Sequence, residues 1–208
     1  MESDAYTFGN PGADTVLIQM VDGHSLHGIE SEMAEIRKLT DKDFCLICLK
    51  VRNWNDDLSP WKSPPVFGKD GFGGLAEETL SRVLQYTGDK SKRYYIGGYS
   101  LAGLFAIWSA YQTDEFEGVA AASPSVWFPG FTDYMKDHSI KAEAVYLSLG
   151  DKEDKAKNLV MASVGERIKE ADEILKGQGA KTVLEWNPGN HFTDAGLRTA
   201  KAFAWVLK

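Results

Sequence analysis

Apolar runs and amphipathic stretches alternate along the chain. Thr15–Val21 is a near-continuous apolar run, closed by Asp22-Gly23, and predicts a buried strand. Residues 28–39 place Ile29, Met33 and Ile36 on one helical face. Glu30, Glu32 and Glu35 come early there, and Arg37 and Lys38 late, as the helix dipole favours. Residues 44–51 predict a second, parallel strand. Further strands are expected over 93–97, 118–122, 144–149 and 182–186. Helices are expected over 74–86, with Leu75, Leu80, Val83 and Leu84 inward, and over 101–111, which is almost wholly apolar. A helix over 155–176 carries Val160, Val164, Ile168, Ala171 and Leu175 at helical spacing, stopped by Gly177 and Gly179. A last helix within 192–207 turns Leu197, Ala200, Phe203 and Leu207 inward. About six strands alternating with about five helices predict an α/β domain. Its mostly parallel central sheet lies between two helical layers, and one domain spans residues 1–208.

Two segments break the pattern. Residues 52–73 are irregular, and loops of more than ~15 residues are usually functional or disordered. Trp54, Trp61, Phe67 and Phe72 lie among the prolines and glycines there, a composition that disfavours disorder. Trp54 and Trp61, with Trp127, are candidates for a substrate pocket. Asp56-Asp57 in the same segment fits a solvated turn better than a site for a polar or cationic group. Cys45 and Cys48 stand three apart inside a strand, so their side chains point to opposite faces. They read as buried core thiols rather than a redox or zinc pair.

Composition narrows the function classes. The 208 residues are 43% apolar and 25% charged, with a net charge of −7. An acidic chain is a poor partner for nucleic acid or an anionic membrane, both of which need clustered Lys and Arg. No apolar run reaches the ~18 residues of a spanning helix. The start, Met1 to Tyr6, is acidic and polar rather than basic then apolar, so the expected location is the cytoplasm. His24 and His27 have metal-ligand spacing, but no carboxylate or cysteine cluster accompanies them. Neither a metal nor another cofactor is expected.

The chemistry concentrates at residues 94–104. A strand ends in Gly97-Gly98-Tyr99-Ser100 and an apolar helix begins at Leu101. A serine on so tight a strand-to-helix turn is held exposed as a nucleophile, and the turn needs small flanking residues. Gly98 supplies one; Ala102 stands where a second glycine is usual. The general base should follow the last strand, which selects His191 in Gly189-Asn190-His191-Phe192. His138 lies in a polar stretch and reads as solvated. The acid should follow the preceding strand, where Asp151, Glu153 and Asp154 offer three carboxylates in four residues. Spacing does not choose among them. Backbone N–H groups of Leu101, directly after the serine, and of His24, after the Asp22-Gly23 turn, are the candidate oxyanion donors.

These residues resemble the esterase branch of the α/β hydrolases that includes esterase D, enterobactin esterases and mycolyltransferases. The resemblance runs from about Val16 to Leu207. It is carried by Val21-Asp22-Gly23-His24, the Gly98 to Gly103 elbow, Ser123-Pro124-Ser125 with Trp127, Gly150 to Glu153, and Gly189 to Phe192. It implies a three-layer α/β-hydrolase fold, and it implies Glu153 as the acid, three residues after the glycine that ends its strand. The family's early antiparallel strands are expected to be mostly missing, and no insertion is long enough for a lid domain. The implied activity is hydrolysis of a small-molecule carboxylic ester by Ser100, His191 and Glu153, with no nucleic-acid or membrane partner. The rivals are an acyltransferase or thioesterase using the same three residues, or a binding protein on a hydrolase scaffold.

Overall fold

The apolar runs become a seven-stranded sheet in the computed structural model, which describes residues 4–155 and 157–208. In chain order, β1 (Ala5–Gly9) and β2 (Thr15–Val21) precede the short helix α1 (Gly23–Leu26), then α2 (Ile29–Leu39) and β3 (Cys45–Lys50). The irregular segment holds α3 (Trp54–Leu58) and a small ladder of β4 (Lys62–Ser63) with β5 (Phe72–Gly73). There follow α4 (Ala76–Val83), β6 (Arg93–Tyr99), α5 (Leu101–Gln112), β7 (Phe116–Ala122), α6 (Phe131–Asp137) and β8 (Ala144–Gly150). The chain ends with α7 (Leu159–Ala162), α8 (Val164–Gly177), β9 (Lys181–Asn187) and α9 (Ala195–Val206). Met1 to Ser3 of the polar start lie outside the described residues.

The strand order is β1-β3-β2-β6-β7-β8-β9, parallel throughout except for the β1–β3 pair. Cores lie on both faces. One gathers α5 and α8 and takes Cys45 from β3; the other gathers α2 and α9 and takes Cys48. The two buried thiols thus face opposite layers, as their spacing requires. From β3 the chain crosses back to β6 on the far side of β2. Ligand sites of open α/β sheets form where the strand order reverses in this way, outside the carboxyl ends of the strands. Here those ends are Val21 of β2 and Tyr99 of β6. No described helix is long and apolar enough to cross a membrane.

Two expectations need correction and a third is sharpened: of the early antiparallel strands expected to be mostly missing, one short strand stands, β1, which pairs antiparallel with β3, Ala5 opposite Leu49 and Gly9 opposite Cys45. Its Tyr6 and Phe8 alternate toward the α2–α9 core, a pattern too short to stand out in the sequence. The helix expected over 155–176 is divided. Asn158 caps α7 by accepting the N–H groups of Val160 and Met161, Ser163 joins the pieces, and Val160 is exposed. Ala156 of that span lies outside the described residues. Leu75 and Leu197 are also exposed: Leu75 is the N-cap of α4, and α9 buries Arg198 and Thr199 beside Ala200 instead.

The α2–α9 layer also holds a buried carboxyl. Glu32 of α2 and Gln19 of β2 are both buried, and each has an Oε1 atom without a partner. Burial pushes the Glu32 carboxyl up to about 8, against the pull of a hydrogen bond with Gln19. The unfolded chain would ionise near ~4.3, so across the window from there to about 8 the folded state holds a proton that the unfolded state loses. Stability should therefore fall as pH rises through that window. Glu32→Gln removes the cost. Urea unfolding should find the variant more stable than the native protein at pH ~8.5 by on the order of 5 kcal/mol, and nearly equal to it at pH ~4. Parallel pH profiles for the two proteins would refute this account.

Candidate active site

The turn between β6 and α5 presents Ser100 with φ 60° and ψ −123°, a backbone region that non-glycine residues rarely adopt. Such a conformation costs roughly 1–3 kcal/mol and persists only where its surroundings hold it. The hold is backbone: Ser100 N–H donates to Ala122 O at 3.1 Å, and Ser125 N–H donates to Ser100 O at 3.1 Å. Gly98 is required by close approach, since a Cβ there would come within 2.6 Å of the Ala102 Cβ. The departure at Ala102 is thus absorbed by the glycine four residues before it. The helix that follows is buried from Leu101 to Tyr111, so the elbow rests on a rigid base.

His191 lies in the loop between β9 and α9. Its Nε2 stands 3.0 Å from Ser100 Oγ, and its Nδ1 stands 2.7 Å from Glu153 Oε2. Tyr99, next to the serine, donates its hydroxyl to the His191 carbonyl at 2.8 Å. Glu153 follows β8, and its other oxygen accepts from Gly150 N–H at 2.7 Å, Ser123 Oγ at 2.8 Å and Arg198 Nη1 at 2.9 Å. Burial alone would raise the Glu153 carboxyl. The hydrogen bond and charge of His191, with the Gly150 and Ser123 donors, outweigh it and hold the group below the usual carboxylate range. Of the three candidate acids, only Glu153 reaches the histidine. Asp151 accepts the Gly189 N–H at 2.8 Å and so shapes the histidine loop, while Asp154 is exposed.

Arg198 is the residue that sequence reasoning missed. It is 1% exposed on the inner face of α9. Besides Glu153, its Nη1 donates to Tyr99 OH and Ser123 Oγ, each at 3.1 Å. Its Nη2 donates to the carbonyls of Pro188 at 3.0 Å and Asn190 at 3.1 Å. One guanidinium thereby ties together Glu153, the elbow and the histidine loop. The only hint in the sequence is an arginine between Leu197 and Ala200, two positions expected to face inward.

The other candidates divide. Leu101 lines the cavity next to Ser100, with its amide opening α5. His24 is not among the lining residues. Its turn is capped by Asp22, whose carboxylate accepts the Ser25 N–H at 2.7 Å and the Ser25 hydroxyl at 2.6 Å. Ser125 Oγ, at 3.3 Å from Ser100 Oγ, is a further hydroxyl beside the candidate nucleophile. The cavity measures about 570 Å³, within the range of small-molecule sites. Trp54 and Trp127 line it, but Trp61 does not. The Trp61 ring instead packs among Phe128, Phe131 and Tyr134, its Nε1 donating to Pro129 O at 3.0 Å, so it fastens the loop to α6. Phe67, not selected beforehand, takes a place in the cavity wall. The segment 52–73 thus forms one side of the site. Within it, Asp57 accepts the N–H groups of Arg52 and Asn53, a structural turn. His138 stacks on Tyr134, away from the cavity.

No family model matches the sequence. Uncharacterized protein YbbA of Bacillus subtilis (strain 168) is 23% identical over 192 residues, covering 84% of this chain and 76% of that protein. Among solved structures, an IroE-like serine hydrolase from Shewanella oneidensis superposes with a TM-score of 0.75 at 15% identity, over 97% of this chain and 74% of its own. The siderophore hydrolase EstA from Aspergillus nidulans gives 0.68 at 17% identity, over 96% and 85%. The enterobactin esterase FES from Shigella flexneri gives 0.64 at 13% identity, over 97% of this chain but 55% of that one. At these identities the likeness is one of fold.

Proposed function

We propose that this chain, which has the α/β-hydrolase fold, is a serine esterase that cleaves small-molecule carboxylic esters. The observation that carries this is the continuous relay from Ser100 Oγ through His191 to Glu153 at 3.0 and 2.7 Å. The hydrolase and esterase activities named for its structural neighbours support the reading. Ser100 Oγ attacks the carbonyl carbon while His191 Nε2 takes its proton. Glu153 keeps the imidazole oriented and balances the imidazolium that forms. The Leu101 amide, at the start of α5, donates to the developing oxyanion. The His24 amide, after the Asp22-Gly23 turn, is the second candidate donor. His191 then protonates the departing alcohol, leaving the acyl group on Ser100. Water attacks that acyl-enzyme, His191 accepts its proton, and the acid departs as Ser100 regains a proton.

A fluorophosphonate probe tests this directly. The native protein should be labelled covalently, and the Ser100→Ala protein should not. Absence of label on the native protein, under conditions where a control serine hydrolase reacts, would sink the enzyme reading.

A further inference from the structure

The wall of the cavity is aromatic and aliphatic around the reacting residues: Trp54, Phe67, Trp127, Met161, Val164 and Phe192. Two cations interrupt it. Lys152 and Lys155 both line the cavity, and both belong to the turn that carries Glu153. Their backbone is fixed there: Lys152 N–H donates to Gly189 O at 3.1 Å, and Lys155 N–H donates to Lys152 O at 3.3 Å. Their side chains are exposed, and among the described residues neither ammonium has a hydrogen-bond or ion-pair partner. Many of the chain's other cations are matched, for example Lys90 with Glu115, Arg93 with Glu117, Lys176 with Asp172 and Lys201 with Glu185.

Among the described residues Glu153 is the one carboxylate lining the cavity, and Arg198 and His191 already engage it. Asp151 and Asp154, which alternate with the lysines, lie outside the lining; Asp151 is bonded to the Gly189 amide and Asp154 packs toward Gly165. Although the chain carries a net charge of −7 and Asp151 and Asp154 keep their charges nearby, the cavity lining itself holds two lysines without an ion-pair partner. Low-dielectric walls focus such a field on whatever enters. Flat side chains along the wall favour a ring, which they can meet face-on or edge-on.

We infer that the substrate is an aromatic ester that also bears an anionic group of the carboxylate class. Its ring lies against Trp54, Phe67 and Trp127, and its anion meets Lys152 and Lys155. This rests on the serine-esterase reading of the same site but adds a charge requirement that the relay does not impose.

The test compares 4-acetoxybenzoate with its neutral isostere 4-acetoxybenzamide, each rate divided by that ester's hydroxide rate to remove leaving-group effects. In the native protein kcat/KM should favour the carboxylate by on the order of tenfold, mainly through KM, and added salt should shrink the preference. In the Lys152→Glu, Lys155→Glu double variant the ratio should fall below one. A ratio, rather than a rate, cancels any change in the catalytic step common to both esters. The same pair is titrated against the Ser100→Ala protein by tryptophan fluorescence, where no turnover is needed. Tighter binding of the carboxylate, reversed by the two charge changes, is the supporting result. Equal or weaker binding of the carboxylate, or a ratio unmoved by charge reversal, overturns the inference. If no ester is cleaved and no fluorophosphonate reacts, the esterase reading falls, while the titration still decides whether the pocket selects an anion.

Discussion

Replacing Ser100 with alanine, or His191 with alanine, should each lower kcat by on the order of 10⁵- to 10⁶-fold, and the double variant should be little slower than either one. In the proposed mechanism the two act as a unit. Without the serine, His191 has no nucleophile to deprotonate; without the histidine, Ser100 stays a neutral alcohol at ordinary pH. KM should change little, because the aromatic wall and the Leu101 amide remain. Alanine at position 100 meets the same backbone strain at φ 60° as serine does, so the fold should survive the change. Steady-state hydrolysis of 4-nitrophenyl acetate, with active-site titration and circular dichroism on each variant, measures this. A Ser100→Ala protein within tenfold of the native kcat would place the nucleophile elsewhere.

The parts of the molecule that follow local rules were legible in the sequence. The run of β2, the amphipathic α2 and the apolar α5 follow from periodicity, and the order of strands and helices gave the layers. Ser100 and His191 followed from their positions after particular strands. Glu153 did not: three carboxylates in four residues are indistinguishable until the turn after Gly150 aims one at His191. Arg198 was hidden for a physical reason. A charged residue on an inward helical face contradicts the amphipathic pattern unless partners neutralise it, and its partners Tyr99, Ser123 and Glu153 lie 99, 75 and 45 residues away in the chain. The exchange of Trp61 for Phe67 in the cavity wall has the same origin. Both lie in one aromatic loop, and only the packing of Trp61 against Phe128 and Tyr134 decides which ring is free to face the site.

Glu153→Gln should lower kcat by on the order of 10⁴-fold, although glutamine has nearly the shape of glutamate. The reason lies in what surrounds each oxygen. The Oε1 position is met by three donors, from Gly150, Ser123 and Arg198. An amide NH₂ placed there would face donors only, so the glutamine must keep its oxygen on that side and turn its NH₂ toward His191 Nδ1. That nitrogen then has to accept, which puts the ring's proton on Nε2, the atom that must take the proton of Ser100. The substitution therefore fixes the wrong tautomer without disturbing the geometry. It also leaves the Arg198 guanidinium buried without its carboxylate, at a cost on the order of 3 kcal/mol. Because Glu153 is held below the usual carboxylate range, its charge adds stability above that range and loses it as pH falls through the folded value. The stability gap between native and variant should accordingly narrow in acid. Asp154→Asn, by contrast, changes an exposed group, and Asp151→Asn weakens one bond to Gly189; each should stay within roughly tenfold of native kcat. Rates of the three variants on one ester, with urea unfolding of Glu153→Gln from neutral to acid pH, separate the candidates. A Glu153→Gln protein that keeps its rate, beside an Asp151→Asn or Asp154→Asn protein that loses it, would move the acid to that other residue.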